Sequence, residues 1–287
     1  MTATGMLGLI ITLNSAQKIT NSKFHLPNMR ILVTIFFVSL FCLQVQAEET
    51  YVIEPSNIEV RYKTSYEGEM KKKPNRKGRA IYILRKGQTT SQYFCYETLR
   101  SDSLHFVSGG FELLRQEEKE RNLHPEKFSP KTNTPCCREY LYKDIANGNI
   151  TIYTNVMGDR FRIEDSPFFK WKLVPDSTKS ILGHECQLAE TDFRGRHWKV
   201  WFTLDIPLPI GPWKFGGLPG LILQAESPDF LNIEGFEIIT QNLTPIKYYN
   251  YYKKKNIDID RAKFLKMKSN PYQYPNGVSI VPGMELE

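Results

Sequence analysis

Residues 184–227 read HECQLAETDF-RG-RHWKVWFTLD-IPLPI-GPWKFGGLPG-LILQAES. Two alternating runs flank Arg194-Gly195. A two-residue turn there places Glu190 opposite Lys199 and Asp192 opposite His197, two attractive cross-strand pairs on one face. The chain then leaves the sheet through Ile206–Ile210. There Pro207 and Pro209 cannot donate regularly to a ladder. It re-enters as a strand at Leu221. The stretch therefore predicts a hairpin, a shaped loop over 206–220, and another strand.

The loop invites a phosphate-cradle reading, which its order of residues opposes. A Walker-type loop needs Gly-Lys followed by Ser or Thr at the start of a helix. Here Lys214 precedes the double glycine, Pro219 removes a donor, and the run from Leu221 is strand-like. Turn chemistry explains more. Leu218-Pro219-Gly220-Leu221 suits a type II turn, and Gly211, Gly216 and Gly217 permit tight backbone paths. Trp213 and Phe215 are the apolar anchors. They either plug one end of a curled sheet or line a ligand mouth.

Short strands recur along the chain. Residues 58–67 place Ile58, Val60, Tyr62 and Thr64 on one face and Glu59, Arg61 and Lys63 on the other. Further strands are expected at 80–86, 92–98, 149–155, 159–165, 168–174, 221–227 and 230–238. Short turns between them predict an antiparallel meander curled into a half-barrel or barrel. A helical stretch interrupts it at 101–123, broken at Gly109-Gly110. A C-terminal helix over 259–267 is expected, capped by Asp258 and stopped by Pro271. The fold class is mainly β with α.

The ends read differently. Met29-Arg30, an apolar run over 31–43 and Val45-Gln46-Ala47 have the anatomy of a secretory signal peptide. That run is shorter than the roughly 20 residues of a membrane span. Residues 1–28 are thus an upstream extension, 48–270 a single β-rich domain, and 271–287 a loose tail. Losing Lys18, Lys23 and Arg30 lowers the formal balance from +7 to +4, too mild to argue for nucleic acid. The basic run at 71–79 reads as a solvated loop, and the tyrosines of KYYNYYKKKN (247–256) as packing against the sheet or a binding face. Outside the cytoplasm, Cys95, Cys136, Cys137 and Cys186 allow three disulfide pairings. His184 and Cys186 share a strand face, a weak metal pattern, and no metal site or cofactor is assigned.

The block 181–223, and GPWKFGGLPGLIL above all, closely resembles the signature of the GLPGLI family of exported proteins from Gram-negative bacteria. The resemblance implies export and a shared fold, and it carries no catalytic residues. His184 stands where the family pattern leads one to expect Tyr, so it inherits no metal role.

For catalysis, His197 with Asp192 forms half of a relay with no nucleophile aimed at it, and HExxH and GxSxG are absent from the sequence. Catalytic residues are therefore none. Arg194, Arg196, His197, Trp213 and Phe215 stand as ligand-binding candidates, since an arginine fork suits planar anions. The expectation is an exported, periplasmic or extracellular, non-catalytic envelope protein. Its partner is an apolar or amphipathic ligand or an envelope protein, with no nucleic acid and no membrane span after signal cleavage. An envelope hydrolase and a cysteine-based metal-handling or redox protein are the alternatives.

Overall fold

The computed structural model of the chain describes residues 50–72, 79–124, 137–156, 158–270 and 283–286. The upstream extension, the signal sequence, Cys136, the 125–135 loop and most of the basic run lie outside the described residues. In chain order the elements are β1 (Tyr51–Glu54), β2 (Ile58–Tyr66), a short helix α1 (Gly68–Lys72), β3 (Arg79–Lys86), β4 (Thr90–Cys95), α2 (Tyr96–Leu104) and α3 (Gly110–Leu123). Then come β5 (Glu139–Asp144), β6 (Ile150–Val156), β7 (Asp159–Asp165), β8 (Lys172–Ile181), β9 (His184–Phe193), β10 (Arg196–Thr203), β11 (Leu221–Ser227), β12 (Leu231–Ile239), β13 (Ile246–Tyr248), β14 (Asn256–Asp258) and α4 (Arg261–Ser269).

Twelve strands form one sheet in the order β14-β7-β6-β5-β4-β3-β2-β12-β11-β10-β9-β8. Two meanders, β2–β7 and β8–β12, are joined where β2 pairs with β12. Every neighbour is antiparallel except β14, which lies parallel to β7. The sheet stays open, so it is not a barrel. It nevertheless curls strongly. Arg194, in the β9–β10 turn near one edge, grips Asp165 at the end of β7 near the other edge at 2.6 Å.

Local chemistry accounts for most elements. In β2, Val60, Tyr62, Thr64 and Tyr66 are buried while Arg61, Lys63 and Ser65 are half-buried, the expected period-two pattern. The β9–β10 hairpin turns on Arg194 (φ 48°) and Gly195 (φ 78°). Two left-handed residues make the type I′ geometry that matches strand twist. The register sets Glu190 against Lys199 and Asp192 against His197, as the sequence predicts. The mid-chain helical region breaks at Gly109-Gly110, with Gly109 at φ 75°.

Five expectations need correction. The strand at 92–98 stops at Cys95. Helix α2 begins at Tyr96, and the Glu97 carboxylate in its first turn accepts from the Ile81 amide at 3.2 Å. Residues 168–171 are irregular, because Phe169 and Trp171 turn aside to pack on Phe215. The C-terminal helix begins at Arg261. Its cap is Asp260, which accepts from the amides of Ala262 and Lys263, while Asp258 ends β14 and pairs with Arg162 at 2.7 Å. Lys71 and Lys72, expected in the solvated loop, end the short helix α1 instead. Gly220 does not take the positive φ of a type II turn, and glycine is needed there because the Thr203 backbone lies so close.

The main core lies on one face of the sheet. Trp198, Phe202, Phe215, Tyr62, Ile150, Ile163 and Leu221–Leu223 are its largest fully buried members. Each such apolar side chain contributes about 1.5–3 kcal/mol on burial. Helix α4 joins this core through Phe264, 5.9 Å from Phe161. The opposite face carries a smaller cluster of Ile83, Phe94, Tyr140, Tyr142, Tyr248 and Tyr249. A separate two-stranded ribbon, β1 with β13, lies beside this second cluster. Its position is set by hydrogen bonds from Tyr142 and Gln92 to the Lys247 carbonyl at 2.8 and 2.7 Å.

Candidate binding groove and the motif loop

The 206–220 loop folds inward. Trp213 is 4% exposed and Phe215 fully buried. Trp213 stacks obliquely on Trp198 at 5.8 Å and edge-on to Phe215 at 5.2 Å, so it points into a packed aromatic core. Trp213 itself has φ 55°, a left-handed conformation held by this packing. The glycines are required by close approach. A Cβ on Gly220 would lie 1.9 Å from the Thr203 carbonyl oxygen, and one on Gly211 would lie 2.7 Å from the Ile222 Cβ. Gly217 has φ 83°. Gly216 forms a bridge with Ile210, and its carbonyl accepts from the Trp171 indole at 2.9 Å. Pro219 separates buried Leu218 from Gly220 at the loop's exit.

Two amines pin this loop, Lys143 from β5 and Lys214 of the loop itself. Lys143 on β5 donates to the carbonyls of Lys214 and Phe215 at 2.9 and 3.0 Å. Burial lowers its pKa to about 8. Lys214 is itself buried, and its ammonium bridges Asp165, at 2.6 Å, and Glu285. Arg194 grips Asp165 with two hydrogen bonds of 2.6 and 2.8 Å and reaches Glu285 at 2.8 Å. Arg261 holds the second oxygen of Glu285 at 2.8 Å. Burial alone would raise the Asp165 pKa, but Arg194 and Lys214 together bring it down to about 2. Three cations thus share two buried carboxylates.

The arginine candidates are therefore engaged inside the protein. Arg194 belongs to the buried cluster. Arg196 lies over the Phe230 ring at 3.6 Å and donates to the Gly283 carbonyl at 2.8 Å. His197 is exposed and pairs with Asp192 at 2.8 Å, with Glu190 at 3.9 Å. No serine or cysteine is hydrogen-bonded to it among the described residues. His184 contacts Asp205 at 3.0 Å. No cluster of metal-ligating side chains occurs among the described residues. Cys137 and Cys186 are thiols. Burial pushes the Cys137 thiol up to about 12 and the Cys186 thiol up to about 11, so neither is a ready thiolate.

A groove of about 430 Å³ opens where the β1–β13 ribbon meets β5, β6 and β7. Tyr51, Tyr142, Tyr153 and Tyr248 supply aromatic surface. Thr89, Thr90, Asp144, Asn147, Asn149, Thr151 and Glu164 supply polar groups. Tyr51 stacks on Tyr248 at 5.1 Å and is 48% exposed. Tyr153 meets Tyr142 and Tyr248 edge-on at 5.7 and 5.0 Å. Burial and the neighbouring Tyr248 push the Tyr153 phenol up to about 12, so it stays a neutral donor. Arg160 is buried behind these rings, 5.1 Å from the Tyr153 centroid and 5.5 Å from that of Tyr248. A second groove of about 320 Å³ shares Asn149 and Glu164 with the first and runs to Asp260 and Arg261. It also touches Asp165, so the ion cluster that pins the motif loop borders it.

The KYYNYY stretch divides between these surroundings. Tyr248 and Tyr249 pack, and Tyr248 also lines the groove, while Tyr252 is exposed. Sequence reasoning missed Asp165, Glu285 and Lys143, which pair across 24 to 91 residues with nothing local to mark them. It also missed Tyr51 and Tyr153. Aromatic residues at alternate strand positions were the available signal, but two separate sheets bring them together.

The fold and site define an open, curled, mainly antiparallel sheet with a packed loop and a tyrosine-lined groove. Residues 189–224, from β9 through the motif loop into β11, match the model of a family described as a protein of unknown function (Porph_ging). No curated protein matches the chain. Among solved structures, PNGF-II in a C2 crystal form aligns over 77% of this chain and 32% of its own, with TM-score 0.46 and 15% identity. PNGF-II in a P21 form aligns over 77% and 33%, with TM-score 0.45 and 17% identity. The chain spans about a third of the length of these structures.

Proposed function

We propose that the chain is an exported, non-catalytic binding protein whose amphipathic ligand seats in the tyrosine groove. The observation that carries this reading is the meeting of the half-exposed Tyr51 and Tyr153 rings with amide, hydroxyl and carboxylate groups in one groove of ligand size. An apolar wall beside fixed polar groups suits a molecule with both characters. The signal-like segment 29–47 supports export to the periplasm. No helix among the described residues is long and apolar enough to cross a membrane. In an oxidising compartment Cys95 and Cys136 stay open to disulfide formation, while Cys137 and Cys186 are thiols. Peptide mapping without reductant reads any pairing directly.

Titration of the full chain with monomeric dodecyl maltoside tests the binding reading. Saturable binding that Tyr51→Ala weakens is the expected result. Turnover of a broad hydrolase substrate panel, abolished by His197→Ala or Asp192→Asn with the fold intact, would overturn the non-catalytic assignment.

A further inference from the structure

We infer that the recognised part of the ligand is an uncharged saccharide of more than one ring, an assignment that rests on the groove being the binding site. Three features of the groove lead to it. First, Tyr51 lies on Tyr248 and offers ring surface at the groove wall. A pyranose ring presents an apolar C–H face that packs on such a ring, with its hydroxyls directed sideways.

Second, the flanking polar groups are pre-set for hydroxyl partners. Asn149 lines both grooves and accepts from Ser166 at 2.7 Å through its oxygen, and its amide nitrogen has no partner among the described residues. Thr151 donates to Glu164 at 3.0 Å, which orients that carboxylate. Hydroxyls both donate and accept, so they serve an amide N–H and a carboxylate together.

Third, the charges oppose ionic ligands. Asp144 and Glu164 face the groove and repel a phosphate or carboxylate. Lys143 turns its amine to the Lys214 and Phe215 carbonyls and offers no counter-charge. Toward a cation, both carboxylates are already engaged: Asp144 accepts from the Ala146 amide at 2.8 Å and from the Asn147 side chain at 3.0 Å, and Glu164 accepts from Thr151, while Arg160 stays buried behind the Tyr153 and Tyr248 rings. The neighbouring groove, continuous through Asn149 and Glu164, extends the site beyond one sugar ring.

The test titrates the full chain calorimetrically with cellohexaose, chitohexaose and maltohexaose as tail-free probes, beside dodecyl maltoside and lysophosphatidylcholine. The expected result is binding of at least one neutral hexasaccharide, weakened about tenfold or more by Tyr51→Ala and also by Asn149→Ala. Circular dichroism checks that each variant folds. Tyr51-dependent binding of dodecyl maltoside or lysophosphatidylcholine with none of the hexasaccharides would overturn the saccharide assignment and leave the groove as an amphipath site. Absence of Tyr51-dependent binding to every probe would overturn both.

Discussion

Arg194 and Asp165 form a two-pronged ion pair, with hydrogen bonds of 2.6 and 2.8 Å, between nearly opposite ends of a twelve-stranded open sheet. Lys214 of the motif loop joins the same carboxylate at 2.6 Å. One side chain thus ties the curl of the sheet to the loop that fills it. Removing one partner leaves buried charge uncompensated. Asp165→Ala should lower stability by about 3–5 kcal/mol in urea unfolding. A loss no larger than that of an exposed-pair variant such as His197→Ala would show that the cluster does not hold the curl.

Acid should unfasten the same tie. The Asp165 pKa falls from an ordinary 3.8 to about 2 in the fold, so its stabilisation is complete above about pH 4. It is lost as pH drops toward the folded value. The contribution is on the order of 1–2 kcal/mol after allowance for solvent screening. Comparing wild type with Asp165→Asn from about pH 5 down to about pH 2 should show the gap in unfolding free energy closing. A constant gap would contradict the assignment.

Lys143 works in the opposite sense at alkaline pH. Its pKa is lowered from 10.5 to about 8, so the fold disfavours its protonated form. The unfolded chain then binds more protons between these values, and wild type gains stability as pH rises through that window. The gain should be on the order of 1–3 kcal/mol relative to Lys143→Met. Parallel stability curves for the two proteins across the window would refute this reading.

Gly220→Ala tests the close approach at the loop's exit. The new Cβ would meet the Thr203 carbonyl oxygen at 1.9 Å, a backbone atom that cannot swing aside. A destabilisation of about 1–3 kcal/mol is expected from thermal unfolding. An unchanged midpoint would mean that the loop relaxes freely.

These relationships were unequally legible in the sequence. The β9–β10 register came from opposite charges and an Arg-Gly turn, both local signals. The inward packing of Trp213 was one of two readings the residues allowed, and only the arrival of Trp198 and Phe193 around it decides between them. The strand expected through Glu97 failed because a carboxylate in the first turn favoured a helix over the β preference of Tyr96. The Asp165 cluster and the groove were invisible for a common reason. Their members come from β1, β4, β5, β6, β7, β13, the β9–β10 turn, the 206–220 loop, α4 and the 283–286 segment, which the fold brings together across long stretches of sequence.

The central claim is that ligand binding belongs to the tyrosine groove while Trp213 and Phe215 serve the core. Calorimetric titration of dodecyl maltoside into wild type and Tyr51→Ala, with the unfolding midpoint recorded for both, tests it most directly. The account predicts saturable binding to wild type, weakened about tenfold or more in the variant, with midpoints that coincide. Equal affinity in the two proteins would contradict it.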